Sequence, residues 1–287
     1  MAEQNPFPGE NNTGHIWDDN LRELANPPPR WWMIAFWASV LWWIGYAILY
    51  PMWPIGQKPT PGILGWSQMQ EYQEGVAEVE AVRAEYEDQI KTMTAEEIIA
   101  DSGLRDYTQA SAKVLFGDNC AACHATGGAG NPGFPVLADD DWLYGGDVAA
   151  ISASITNGRQ GVMPAHINTL SEAEIDALAQ WVVDMSEGKT DNEAGWKLYR
   201  EKGCFACHGP DADGMPAMGS ANLTDGIWRF EPAGFESAKH TIGYGVNQAG
   251  QEQTRDAVMP AFGQTGRLDE QEIKKLTVYV HQLGGGQ

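Results

Sequence analysis

From Trp31 to Tyr50 the chain carries no charged residue, between a polar, turn-rich stretch before it and a proline-rich one after it. At about 1.5 Å of rise per residue, such a run reaches about 30 Å as a helix, the depth of a bilayer core. Arg30 closes it on one side, and Trp31, Trp32 and Trp53 stand where interfacial aromatics belong. The pattern predicts an anchor over 31–54. A cleaved leader fits poorly. The 30 residues before the run lack a basic n-region, and Pro51-Met52-Trp53-Pro54 offers no small-residue cleavage site.

Residues 1–30 are polar and turn-rich and end in Pro27-Pro28-Pro29-Arg30, which predicts a short tail with Asp18, Asp19 and Glu23 open to a partner. Past the anchor, Pro51, Pro54, Pro59 and Pro61 predict a stiff connection. Within a linker over 55–102, Met69, Tyr72, Val76, Val79, Tyr86, Ile90 and Met93 recur at helical spacing. Glu71, Glu74, Glu78, Glu85 and Glu87 make the outer face acidic, and Thr94 with Glu97 reads as a capping box.

The remainder reads as one plan used twice, over 103–188 and 189–287. A helix through Ala112, Leu115 and Phe116 runs up to Cys120; its counterpart through Trp196, Leu198 and Tyr199 runs up to Cys204. Ser171 with Glu174 and Asp269 with Glu272 cap the closing helices. There Ile175, Leu178, Trp181 and Val182 match Ile273, Leu276, Tyr279 and Val280 at an offset of 98. The offset is 96 at Met163 and Met259 and 84 at the cysteines, so the copies differ in loop length. This is a duplicated domain rather than a short-period solenoid, and neither half shows strand-like alternation.

At the centre of each copy lies a C-x-x-C-H box, Cys120-Ala121-Ala122-Cys123-His124 and Cys204-Phe205-Ala206-Cys207-His208. The boxes use all 4 cysteines of the chain. The pattern is that of covalent c-type haem attachment: both thiols add to the vinyl groups of one haem, and the adjacent imidazole reaches its iron. A shared zinc site would need pairs far closer than 84 residues, and redox-dithiol chemistry would need a βαβ setting. The expectation is an all-α protein, with one N-terminal transmembrane helix followed by two tandem class I cytochrome c domains. In such domains the haem stands in for much of the core. Because c-type haem is attached outside the bacterial cytoplasm, both domains are expected in the periplasm, with the N-terminus cytoplasmic and the chain single-pass in the inner membrane.

A second axial ligand is needed for an iron that only shuttles electrons, and a thioether opposite histidine favours the ferrous state. Met163 lies 39 residues past His124 and Met259 lies 51 past His208, both in Val-Met-Pro-Ala. Met215, Met218, His166 and His240 are rivals, and Met185 reads as core. Phe116, Trp142, Trp181, Tyr199, Trp228 and Tyr279 read as haem-packing or inter-helix aromatics. There is no nucleophile–base constellation, phosphate loop or catalytic carboxylate pair. With 39 acidic against 18 basic residues, net −21, the chain makes a poor partner for nucleic acid and a good one for a basic protein.

Gly14-His15-Ile16-Trp17-Asp18, Glu23-Leu24, Pro28-Pro29-Arg30-Trp31-Trp32 and Tyr50-Pro51-Met52-Trp53-Pro54 resemble the dihaem cytochrome c subunit (subunit III) of cbb3-type cytochrome c oxidases. The resemblance covers essentially the whole chain. It implies two covalently bound c-type haems, the first on Cys120 and Cys123 with His124 and Met163 at its iron. The second would be on Cys204 and Cys207 with His208 and Met259. It also implies electron receipt from a soluble or membrane-anchored cytochrome c that the cytochrome bc1 complex reduces. Delivery is then through a monohaem cytochrome c subunit to the haem–copper catalytic subunit, which reduces oxygen to water and moves protons. Some relatives have two transmembrane helices where this chain has one. The competing functions are a membrane-anchored dihaem carrier for a dehydrogenase or reductase, separable by co-purification with a copper-containing partner, and a dihaem peroxidase. The peroxidase needs an exchangeable iron position, whereas both halves here offer a methionine.

Overall fold

A run of prolines and an uncharged stretch set where the first long helix starts. Pro29 precedes α1 (Arg30–Leu49), 20 residues with no buried side chain, long and apolar enough to cross a membrane. The computed structural model describes residues 9–18 and 21–286, mostly helical, in two compact units that divide between Arg83 and Ala84.

In the first unit, β1 (Asn12–Trp17) and β2 (Leu21–Leu24) pair antiparallel where the sequence suggested only a tail. Ile16 faces Arg22 and Trp17 faces Leu21 in register, and Glu10 pairs with Arg22 across the ribbon. Glu23 accepts a hydrogen bond from the Thr13 hydroxyl at 3.5 Å, and Asp18 turns the chain at φ 48°. Asp19 lies outside the described residues. After α1 the proline-rich connection folds back through β3 (Pro54–Ile55) and β4 (Lys58–Pro59). The Ile63 and Leu64 amides then donate to the Ile48 and Leu49 carbonyls at 3.0 and 3.1 Å, satisfying acceptors that a helix end leaves open.

The acidic stripe forms α2 (Gln68–Thr92), and of its apolar positions only Ile90 is buried. In the second unit Ile90 packs with Ala95 and Ile98 of α3 (Ala95–Ala100) and with Leu104 and Val278. Lys274 donates to the Ile90 and Met93 carbonyls at 3.0 and 2.8 Å, and Lys275 pairs with Glu87 at 2.5 Å. Burial pushes the Glu87 pKa up, but hydrogen bonds from Lys275, Tyr107 and Gln271 outweigh it and hold the carboxyl below its ordinary range.

The repeats supply α4 (Ser102–Asn119), α5 (Ala121–His124), α6 (Val148–Asn157) and α7 (Glu172–Ser186), then α8 (Glu193–Glu201), α9 (Phe205–His208), α10 (Phe235–Tyr244) and α11 (Glu270–His281). All three expected capping boxes form, at Thr94, Ser171 and Asp269.

The repeats read from sequence are nevertheless not the packing units. The opening helix of the first copy, α4, packs on the closing helix of the second, α11; α7 packs on α8 and α10. One core joins Phe116, Ile151 and Ile155 to Phe262, Leu268, Ile273, Leu276 and Val280. The other joins Ile175, Leu178, Ala179 and Trp181 to Tyr199, Ala212, Ala238 and Ile242. Chain connection gives the reason. Only residues 187–192 separate α7 from α8, so consecutive helices become neighbours. Asp184 grips Asn192 across that turn at 2.7 Å, and Trp181 lies against Gly195, its ring centroid 4.6 Å from that of Tyr199. With α7 so engaged, α4 takes α11.

Candidate haem sites

Each box occupies one helical turn, which puts its two cysteines and its histidine within reach of one planar group. Cys120 and His124 are joined through the His124 amide and the Cys120 carbonyl at 2.9 Å; the Cys204 carbonyl accepts from His208 at 3.0 Å. The four thiols are free rather than paired as disulfides. Burial pushes the Cys120 thiol up to about 11 and raises Cys204 in the same direction, so before attachment both are thiols at neutral pH.

Both imidazoles are oriented from behind. His124 Nδ1 lies 3.0 Å from the Pro135 carbonyl and His208 Nδ1 lies 2.9 Å from that of Ala221. A carbonyl can only accept, so Nδ1 carries the proton and Nε2 keeps its lone pair for a metal. Burial lowers both histidine pKa values, which keeps the rings neutral, although the carbonyl bonds act the other way. The Tyr199 hydroxyl donates to the Gly209 carbonyl at 2.5 Å, fixing the chain just past the second box. Free thiol pairs beside a neutral, pre-oriented imidazole fit a c-type haem at each box.

The methionines sit across the exchange. Met259 packs against the core that contains Cys120, and Met163 against the core that contains Cys204. Two reciprocal backbone bridges hold them. Arg159 and Met259 exchange hydrogen bonds at 3.0 and 2.8 Å, and Met163 and Val246 exchange a pair at 3.0 Å each. Gly158 (φ 68°) and Gly245 (φ 74°) end α6 and α10 beside these bridges, where a Cβ would stand 2.4 Å from the Met259 carbonyl oxygen or 2.3 Å from that of Met163. In the packing, each methionine thus stands with the box of the other copy.

The histidine rivals have other partners, and the Met215 amide donates to the Ser220 hydroxyl at 3.0 Å. His240 Nε2 lies 2.9 Å from the Gln253 carbonyl, His166 Nδ1 lies 3.4 Å from the Thr169 hydroxyl, and Met218 is exposed. Met185 packs in the second core, as expected, and so do Trp181, Tyr199 and Trp228; Phe116, Trp142 and Tyr279 pack in the first. Sequence reasoning did not single out Arg159 and Arg255. The signal that could have found them is Arg-x-x-Val-Met-Pro-Ala, which recurs at the same offset of 96 as the methionines.

Three family models match the chain. They are the N-terminal domain of cytochrome oxidase-cbb3, FixP, over residues 9–57; cytochrome c oxidase, cbb3-type, subunit III, over 108–182; and cytochrome c, over 192–284. A cbb3-type cytochrome c oxidase subunit FixP of Azorhizobium caulinodans is 40% identical, covering 97% of this chain and 94% of its own length. A subunit FixP of a Bradyrhizobium species is also 40% identical, over 99% and 98%. The subunit CcoP of Rhodobacter capsulatus is 36% identical over 96% of each.

Proposed function

The chain belongs to the FixP/CcoP subunits of cbb3-type cytochrome c oxidases, and on that premise we propose that it is the oxidase's membrane-anchored electron-entry subunit, carrying two covalent c-type haems. The observation that carries this reading is the repeated donor set: two tethering thiols, an imidazole fixed through Nδ1, and a methionine packed into the same core.

When bound, each haem supplies a one-electron ferric–ferrous couple. Cys120 and Cys123 would tether one haem and Cys204 and Cys207 the other. His124 and Met259 would hold the iron of the first, His208 and Met163 that of the second. The Pro135 and Ala221 carbonyls keep each imidazole in one orientation, so little rearranges as charge arrives and leaves. With an imidazole and a thioether on offer to each iron, this chain would relay electrons only, and oxygen chemistry belongs to a haem–copper catalytic subunit. A monohaem cytochrome c subunit relays the electrons to it.

The acidic balance of the chain, net −21, suits a basic cytochrome c donor, itself supplied by the cytochrome bc1 complex. Helix α1 anchors the chain in the bacterial inner membrane, with the N-terminus in the cytoplasm and the haem domains in the periplasm.

The crossed ligation has its own test. In a chain whose first box is disabled by Cys120→Ala and Cys123→Ala, Met163→Leu should abolish the sulfur-to-iron charge-transfer absorbance of the remaining haem. Met259→Leu should leave it. The opposite result restores pairing within each copy, and fewer than two haems per intact chain by pyridine haemochrome analysis sinks the reading altogether.

A further inference from the structure

Haem tethering and ligation leave two side chains unexplained. Arg159 and Arg255 each stand four residues before a methionine, and each folds back on the helix before it. Arg159 Nε donates to the Ser154 hydroxyl of α6 at 2.8 Å, its guanidinium 4.3 Å above the Tyr144 ring. Arg255 Nη2 donates to the Ser237 hydroxyl of α10 at 3.1 Å, its guanidinium 4.5 Å above the Phe230 ring. Ser237 is only 4% exposed, and Arg255 Nε is buried with no partner.

Among the described residues neither arginine meets a carboxylate, in a chain with 39 of them. Arg22, Arg229, Lys202, Lys239 and Lys275 all find one. Burial lowers the Arg255 pKa with nothing to offset it. A desolvated cation without a counter-ion is costly, and the same serine-and-aromatic seat beneath an arginine at the equivalent place in the other copy argues against chance.

We infer that Arg159 and Arg255 are the counter-ions of the haem propionates, Arg159 at the haem tethered by Cys120 and Cys123, Arg255 at the haem tethered by Cys204 and Cys207. The assignment follows the packing. Arg159 lies on α6, whose Ile151 and Ile155 share a core with Cys120. Arg255 lies on Ser237, next to Ala238 in the core with Cys204. A guanidinium offers a planar fork that matches a carboxylate, and the aromatic ring beneath it holds the fork in place. Each haem thus takes its box and its arginine from one copy and its methionine from the other.

The inference rests on the dihaem reading, and its test separates the two. A paired propionate no longer favours the ferric state, so losing the cation lowers the midpoint potential of that haem. In the full detergent-solubilised holoprotein, spectroelectrochemical titration of Arg255→Gln should show one haem shifted to lower potential and the other unmoved. Arg159→Gln should shift the other, and Arg255→Lys should recover most of the change. Arg159→Gln serves by itself if Arg255→Gln fails to retain haem. Wild-type potentials in glutamine variants that keep both haems overturn the counter-ion role, as does an equal shift in Gln and Lys variants. Fewer than two covalent haems in the unmutated chain overturns the dihaem reading instead.

Discussion

Single carboxylates in this chain differ by what surrounds them, and Glu174 shows how far that reaches. Lys202 lies 2.6 Å from its carboxylate, and the amide and hydroxyl of Ser171 both donate to it at 2.8 Å. These contacts hold its pKa at about 2, below the ordinary carboxylate value. A depressed folded-state pKa stabilises above the ordinary value, about 4.3, and that stabilisation is lost as pH falls through about 2. Glu174→Gln keeps the reach back to the Ser171 amide but loses the charge. Its thermal midpoint should lie below wild type at pH 7, and the gap should close across that acid window in scanning calorimetry. The neighbouring cap is a separate contribution. Ser171→Ala removes the acceptor for the Glu174 amide at 3.3 Å and should cost about 1 kcal/mol in denaturant titration.

Helix pairing is decided by close approach, and Gly195 shows where. A Cβ there would stand 2.3 Å from the Trp181 Cβ, in the middle of the α7–α8 contact. Alanine is the better helix former by about 1 kcal/mol, yet overpacking a fixed indole costs about 1–3 kcal/mol. Gly195→Ala should therefore destabilise the chain, read as a lower denaturant midpoint with unchanged slope. Local rules made much of this legible in the sequence. The uncharged run gave α1, the stripe gave α2, and the Ser/Thr/Asp-x-x-Glu pattern gave all three boxed helix starts. The cysteine and histidine positions needed only their spacing. What spacing cannot carry is which helix packs on which, because Ile175 and Ile273 present the same apolar face to α4 or α8 alike. That choice was set by the shortness of 187–192, and the crossed methionines followed from it. The β1–β2 ribbon escaped for another reason: its strands are short, and cross-strand pairs such as Ile16–Arg22 and Trp17–Leu21 define it more than alternation does.

Exchange of closing segments changes what can fold alone. The core around Cys204 draws every buried member from Ile175 to Ile242, with Met163 packed beside it, a continuous stretch of chain. The core around Cys120 is split, with Phe116, Ile151 and Ile155 on one side of that stretch and Phe262 to Val280 on the other. A fragment of residues 160–256 thus contains the second box, Met163, α7, α8 and α10. A fragment of 189–287, the copy read from sequence, lacks Ile175, Leu178 and Trp181. Burying one large apolar side chain contributes about 1.5–3 kcal/mol, so losing these three removes about 5 kcal/mol or more. That is comparable with the whole stability of a small domain, about 5–15 kcal/mol. Expressed with the haem-attachment machinery, 160–256 should give a folded monohaem protein with a sulfur-to-iron charge-transfer band and a cooperative melt. The 189–287 fragment should give a tethered haem without that band and without a cooperative transition. Equal folding of both fragments, or folding of 189–287 alone, would mean that the helices pair within each copy after all.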